Sequence, residues 1–255
     1  MLLGFHHVTA FAGDAQRNVD FYRECLGLRL VKRTVNYDDP ATYHFYFGDQ
    51  SGSPGSLLTF FPWPTSPAGT PGTGQATHIR FAAPRGEGEI ADPAGLQLQI
   101  ARGEPRIESV TLRIAHLEPT AEFLTKTLGF KQAAPGCFDL HHSRIEIIEA
   151  PQMAPAKLSA GTIHHVAFRV ADRATQNDWR AKLKSMRAKV TRVIDRQYFT
   201  SIYFREPGGV LFEIATDGPG FLIDEPADAL GTSLKLPPWL EPIRESVTRR
   251  LPEVR

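Results

Sequence analysis

Three side chains of this sequence are of types that grip a divalent metal ion and sit in strand-like surroundings: His7, His165 and Glu213. The run His164-His165-Val166-Ala167-Phe168-Arg169-Val170 is rich in β-formers and too short for a helix, which predicts a strand with successive side chains on opposite faces. The chain opens with a near copy, Phe5-His6-His7-Val8-Thr9-Ala10. Glu213 lies in Val210-Leu211-Phe212-Glu213-Ile214, directly after the turn signal Pro207-Gly208-Gly209, among apolar neighbours that ordinarily exclude a carboxylate. An ionised glutamate in that setting needs a cation. Two histidines and one carboxylate with open positions are the set used by non-haem Fe(II) oxygenases, and the same donors can hold Zn(II) in hydrolytic sites. Residue type and spacing leave both open.

Around these three, alternation places Thr9 beside His7 and Ala167 beside His165, and sends His6 and His164 to the opposite face, where a hydrogen-bonding role toward the ligands is expected. In Ser201-Ile202-Tyr203-Phe204, Ser201 and Tyr203 share a face, so Tyr203 could exchange a proton in the cleft, and Arg196 could hold an anionic oxygen. A lone buried histidine is more often a hydrogen-bonded core residue than a ligand. Here the doublet occurs twice in matching positions, which favours a metal site. In the copy of the Glu213 strand, Pro54-Gly55-Ser56-Leu57-Leu58-Thr59-Phe60, the glutamate position reads as Phe60, which offers no donor. His78, Gln99, Ser109 and Glu146 read as degenerate counterparts forming a second cleft without metal, and His44, His116, His141 and His142 as surface or packing residues.

The elements that must position these side chains repeat. Residues 1–62 read as strand, helix and three strands, with Asp14 as helix N-cap, Val19, Tyr22 and Leu26 on one face, and Gly27 at its end. Residues 106–150 and 161–217 repeat this βαβββ order; Asp20-Phe21-Tyr22 with Leu26-Gly27-Leu28 matches Glu122-Phe123-Leu124 with Leu128-Gly129-Phe130. Residues 75–102 begin and end like a repeat but lack the helix and middle strands, and residues 218–255 form a tail packing on the body. The expected fold class is therefore α+β, four βαβββ modules with the second truncated. A single unit is too small to bury its own face, so units must pair into curved sheets. His7 and Glu213 can meet only if the first and last units pair.

Composition closes off other classes. With 255 residues and a formal net charge of +1, no nucleic-acid surface is indicated, and no apolar run is long enough for a membrane helix. The N-terminus lacks signal-peptide features, and two cysteines make no disulfide framework, so a cytoplasmic location is expected; Cys25 reads as an inert buried thiol. Unpaired sheet edges at the shortened unit leave room for a homodimer.

The opening segment HHVTAFAGDAQRNVDFYRECLGLRLVKRTVNYDDPATYHFYFGD, the following PGSLLTFFPWP, and GTIHHVAFRV with DRQYFTSIYFREPGGVLFEIATDGPGF resemble the hydroquinone-type ring-cleaving dioxygenases of the vicinal oxygen chelate superfamily, which also holds glyoxalase I, bleomycin-resistance proteins and extradiol dioxygenases. The resemblance implies Fe(II), or Mn(II), ahead of Zn(II), on His7, His165 and Glu213, with supporting roles for His6, Thr9, His164, Arg196 and Tyr203. It further implies a small aromatic diphenol and dioxygen as reactants. Rival expectations are a glyoxalase-like isomerase or lyase, which usually draws a fourth protein ligand, and a non-catalytic binder of small molecules.

Overall fold

In the computed structural model, which describes residues 1–255, fifteen strands form two sheets. The first unit comprises β1 (Phe5–Ala12), α1 (Ala15–Asp20), β2 (Arg29–Asn36), β3 (Asp39–Gly48) and β4 (Leu57–Pro62). The shortened unit keeps only β5 (Gln75–Ala83), a four-residue β6 (Gly88–Ala91) and β7 (Gln97–Arg102). The third holds β8 (Arg106–Ile114), α2 (Leu117–Glu122), β9 (Lys131–Ala134), β10 (Cys137–Leu140) and β11 (Ser143–Glu149). The fourth holds β12 (Ile163–Val170), α3 (Arg173–Ser185), β13 (Ile194–Asp195), β14 (Thr200–Arg205) and β15 (Leu211–Thr216). Short turns and α4 (Arg244–Thr248) make up the tail.

The strand order is β13-β14-β15-β12-β1-β4-β3-β2 in one sheet and β6-β7-β5-β8-β11-β10-β9 in the other. The first and last units thus share a sheet through the antiparallel pair β1–β12, and the middle two share the other. This is the four-unit α+β fold with a truncated second unit.

Local sequence explains the elements. Asp14 caps α1 by accepting from the Arg17 amide at 2.8 Å. The helix ends in a single π turn over Phe21–Cys25, closed by Gly27 at φ +72°, a conformation glycine adopts without Cβ strain. Val19, Tyr22 and Leu26 are wholly buried as the periodicity predicts, whereas Cys25 is exposed. The π turn inserts an extra residue and rotates that position outward, which corrects the expectation of a buried thiol.

Along β1 and β12 the two faces separate cleanly. Val8, Val166 and Phe168 enter a core shared by both sheets, in which Phe168 packs against Phe5, Phe130 and Phe212. His7, Thr9 and His165 line the opposite, concave side, and Tyr203 and His44 are close by. The tail is pinned to this sheet through Lys32 of β2, whose buried ammonium pairs with Asp224 at 2.6 Å and with Glu225.

Candidate metal centre

The β1–β12 pairing brings residues 158 positions apart into contact: His7 Nε2 lies 3.1 Å from His165 Nε2. Glu213, on β15 beside β12, completes the group, its Oε2 at 2.8 Å from His165 Nε2 and 3.4 Å from His7 Nε2. All three side chains are buried. Three donors bound at about 2.1 Å and at right angles around one ion would stand about 3.0 Å apart. The spacings of 2.8, 3.1 and 3.4 Å match one triangular face of such an octahedron.

The electrostatics agree. Glu213 Oε1 accepts from the Ser201 hydroxyl, but Oε2 is buried and makes no hydrogen bond within the protein. A carboxylate oxygen stripped of water and left without a donor is costly unless a cation meets it. Burial alone would raise the Glu213 pKa; the imidazoles of His7 and His165 outweigh it and hold the carboxyl well below its usual range. A buried His-His-Glu group of this form is suited to a metal, and the residues present fit one.

The histidine doublets are built differently from the alternation expected. The β1–β12 register slips between Phe5 and His7 and again at Thr9 and Ala10, so His6 and His164 are each the extra residue of a β-bulge. Instead of pointing away, each ring swings alongside its neighbour: His6 Nδ1 is 2.8 Å from His7 Nδ1, and His164 Nδ1 is 2.7 Å from His165 Nδ1. If His7 and His165 present Nε2 to an ion, their protons sit on Nδ1 and are donated to these partners, whose own protons are then on Nε2. Burial, reinforced by His7, pushes the His6 pKa down to about 3. Burial and His165 do the same for His164, also to about 3. Both stay neutral and able to accept.

Tyr203 accepts from Arg196 Nε at 3.1 Å, and Arg196 Nη1 pairs with Asp38 at 2.9 Å across the mouth of the cleft. Burial and then Glu213 raise the Tyr203 pKa despite Arg196, so its O–H remains a donor. The cleft has a volume of about 230 Å³, below the roughly 300 Å³ at which pockets for drug-sized ligands begin, and its walls are aromatic, with Phe11 stacked on Trp63 at 4.5 Å. A single substituted ring fits this space. Thr9, wholly buried behind this wall, sets its Oγ1 2.9 Å from His165 Nε2.

Two sequence readings are corrected here. Thr9 pairs with Thr59 in β4 just as Ala167 pairs with Glu213 in β15, so Thr59, and not Phe60, is the counterpart of Glu213. Superimposing Pro54 on Pro207 places Phe60 opposite Glu213, whereas the structurally equivalent turn residues are Gly55 at φ +97° and Gly209 at φ +95°, each four residues before Thr59 and Glu213. Phe60 points to the core against Tyr22. His44, expected on the surface or in packing, lines the cleft and bonds to Thr59 at 2.9 Å. Its signal was available: on β3 it is two residues from Tyr46, which faces Thr59 as Tyr203 faces Glu213. In the second sheet His78, Gln99, Ser109 and Glu146 border a wider, open cleft of about 420 Å³.

Comparison with known proteins follows the same lines. At 39% identity the chain matches Bacillus subtilis (strain 168) MhqE, provisionally named a ring-cleaving dioxygenase, over 98% of this chain and 99% of that protein. The 255 residues here are set against 311 aligned positions, so more than fifty of them face a gap. The chlorohydroquinone/hydroquinone 1,2-dioxygenase of Sphingobium indicum is 29% identical, over 97% of this chain and 95% of its own. A crystal structure of a provisionally assigned Bacillus subtilis dioxygenase superposes with a TM-score of 0.92 at 35% identity, covering 100% of this chain and 98% of that one. Maize (Zea mays) glyoxalase I shares the fold at a TM-score of 0.60 and 16% identity, over 84% of this chain and 92% of its own. The profile of one family matches residues 4–85 and 106–214, and the chain belongs to that family, the glyoxalase/bleomycin resistance protein/dioxygenase superfamily.

Proposed function

We propose that the protein is a metal-dependent, extradiol-type ring-cleaving dioxygenase acting on a hydroquinone-like or catechol-like diphenol, with Fe(II) or Mn(II) held by His7, His165 and Glu213. The observation that carries this reading is the three-donor face with octahedral spacing opening onto a small aromatic-walled cleft. The relatives named as ring-cleaving and hydroquinone dioxygenases support it. A metal bound there would supply a Lewis acid and one-electron chemistry with positions free for substrate and dioxygen. Thr59 in the place of a fourth ligand weighs against a glyoxalase-like isomerase, since a threonine hydroxyl is a poor substitute for a carboxylate.

The chain's own residues then have definite tasks. Phe11, Phe61 and Trp63 hold the ring by its faces and exclude water. Tyr203, its lone pair occupied by Arg196, donates its O–H into the cleft and can protonate a developing alkoxide or enolate oxygen. His164, neutral and with Nδ1 engaged, offers its Nε2 hydrogen on the same wall. Arg196 places fixed positive charge where an acidic product would gather.

Protein loaded anaerobically with Fe(II) and then given oxygen and chlorinated or methylated hydroquinones or catechols is expected to consume oxygen and release a ring-opened acid carrying both oxygen atoms. Absence of uptake with every diphenol would overturn the assignment. Ser201, whose hydroxyl fixes Glu213 Oε1 and leaves Oε2 for the ion, provides a finer check. The Ser201→Ala variant is expected to bind metal about 10–100-fold more weakly in equilibrium dialysis, the usual effect of losing a partner that orients a ligand.

A further inference from the structure

The half of the cleft opposite Glu213 is built from uncharged groups that form one continuous hydrogen-bonded chain. Tyr46 Oη is 2.9 Å from His44 Nδ1, His44 Nε2 is 2.9 Å from Thr59 Oγ1, and Thr59 Oγ1 is 2.7 Å from Thr9 Oγ1. Register relates this arm to the other by the pseudo-two-fold: Tyr46 faces Thr59 as Tyr203 faces Glu213, and His44, two residues before Tyr46, stands where Ser201 stands before Tyr203. Ser201 grips Glu213, and His44 grips Thr59.

The direction of the chain follows from counting hydrogens. The hydroxyl of Tyr46 is buried and has His44 as its one hydrogen-bond partner, so it is satisfied by donating to Nδ1. A neutral His44 then carries its single hydrogen on Nε2 and donates to Thr59. Burial, with His7 and His165 adding to it, holds His44 in that neutral form. Thr59 passes its hydrogen to Thr9, and the Thr9 hydrogen is left aimed at the lone pair of His165 Nε2, 2.9 Å away. A metal held by His165 would take that same lone pair and would leave the Thr9 hydrogen free for a ligand oxygen beside it.

We infer that His44 is a positioning residue which, through Thr59, aims the Thr9 hydroxyl as a hydrogen-bond donor at the ring oxygen of a bound phenolate. The inference rests on the diphenol reading given above. It assigns no chemistry to His44 itself: Thr9 touches the substrate, and His44 and Thr59 fix which way its hydrogen points. The substrate feature recognised is an anionic oxygen on a single aromatic ring.

The test is calorimetric titration of anaerobic, Fe(II)-loaded protein with methylhydroquinone, so that no turnover occurs, using wild type, Thr59→Val, His44→Leu, His44→Gln and the double variant His44→Leu/Thr59→Val. Thr59→Val and His44→Leu are each expected to weaken binding about tenfold, the scale of one charge-assisted hydrogen bond. The double variant is expected to be no worse than either single, because both break one chain. His44→Gln, which keeps a donor near the Nε2 position, is expected to recover most of the affinity, and iron content and melting temperature are expected to stay at wild-type values in all four variants.

Multiplying losses in the double variant, a His44→Gln protein as weak as His44→Leu, or loss of iron from the single variants would overturn the inference. So would unchanged binding in the variants, while the diphenol reading would survive that result. Wild-type protein that binds no methylhydroquinone would overturn both.

Discussion

Replacing Glu213 by alanine is expected to abolish stoichiometric metal retention and to lower oxygen uptake with any diphenol at least a hundredfold. The bound is a floor, because loss of a group that merely orients a ligand already costs 10–100-fold. Glu213 supplies the one carboxylate in a group otherwise made of imidazoles, and its Oε2 makes no hydrogen bond. Without it two nitrogens 3.1 Å apart remain, and a two-nitrogen site does not hold Fe(II) against water and buffer. Stability gives an independent readout. Metal at about 100 times its dissociation constant should stabilise the wild type by about 2.7 kcal/mol, and the variant not at all. The metal-free variant also loses the Ser201–Oε1 hydrogen bond and should melt somewhat below metal-free wild type, so the increment that added metal gives each protein is the quantity to compare. A Glu213→Ala protein that keeps its ion and its oxygen uptake would end the three-ligand reading.

The second large effect concerns acid. His6 and His164 have native pKa values of about 3, against 6.5 when exposed. Below pH 6.5 the unfolded chain binds protons that the folded chain refuses, so stability is complete above 6.5 and falls as pH falls. Each histidine costs about 1.4 kcal/mol per pH unit, so the two together cost about 4 kcal/mol by pH 5. That is a large part of the roughly 5–15 kcal/mol margin of a domain. His44 and His165, also lowered by burial, act in the same direction. Glu213, depressed below 4.5, adds its own loss only under that pH. Chelator-treated protein should therefore lose about 8–16 °C of melting temperature between pH 7.5 and 5. A melting temperature flat across that range would show that these imidazoles are solvated.

Much of this architecture was legible in the sequence because local rules carried it. The cap at Asp14, the apolar stripe Val19-Tyr22-Leu26 and the doubled His-His strands needed no tertiary information. The two histidines and the glutamate were legible for a different reason: a carboxylate among apolar residues is a conflict that only a partner resolves. What escaped depended on register. Phe60 and Thr59 are neighbours in sequence, and one residue of slip exchanges core for cleft. The bulges at His6 and His164 are properties of a strand pair and appear in neither strand alone. His44 is not legible as a cleft residue for the same reason: its partner Thr59 faces the cleft only in the register that the strand pairing sets.

The pairing of the first and last units sets an order of events during biosynthesis. His165 leaves the ribosome 158 residues after its partner His7, and Glu213 later still. At about 5–20 residues per second the N-terminal strand waits roughly ten seconds or more with its concave edge unpartnered. The growing chain therefore cannot bring the three donors together before β15 has been made, and the last strand to join the sheet also completes the group of His7, His165 and Glu213.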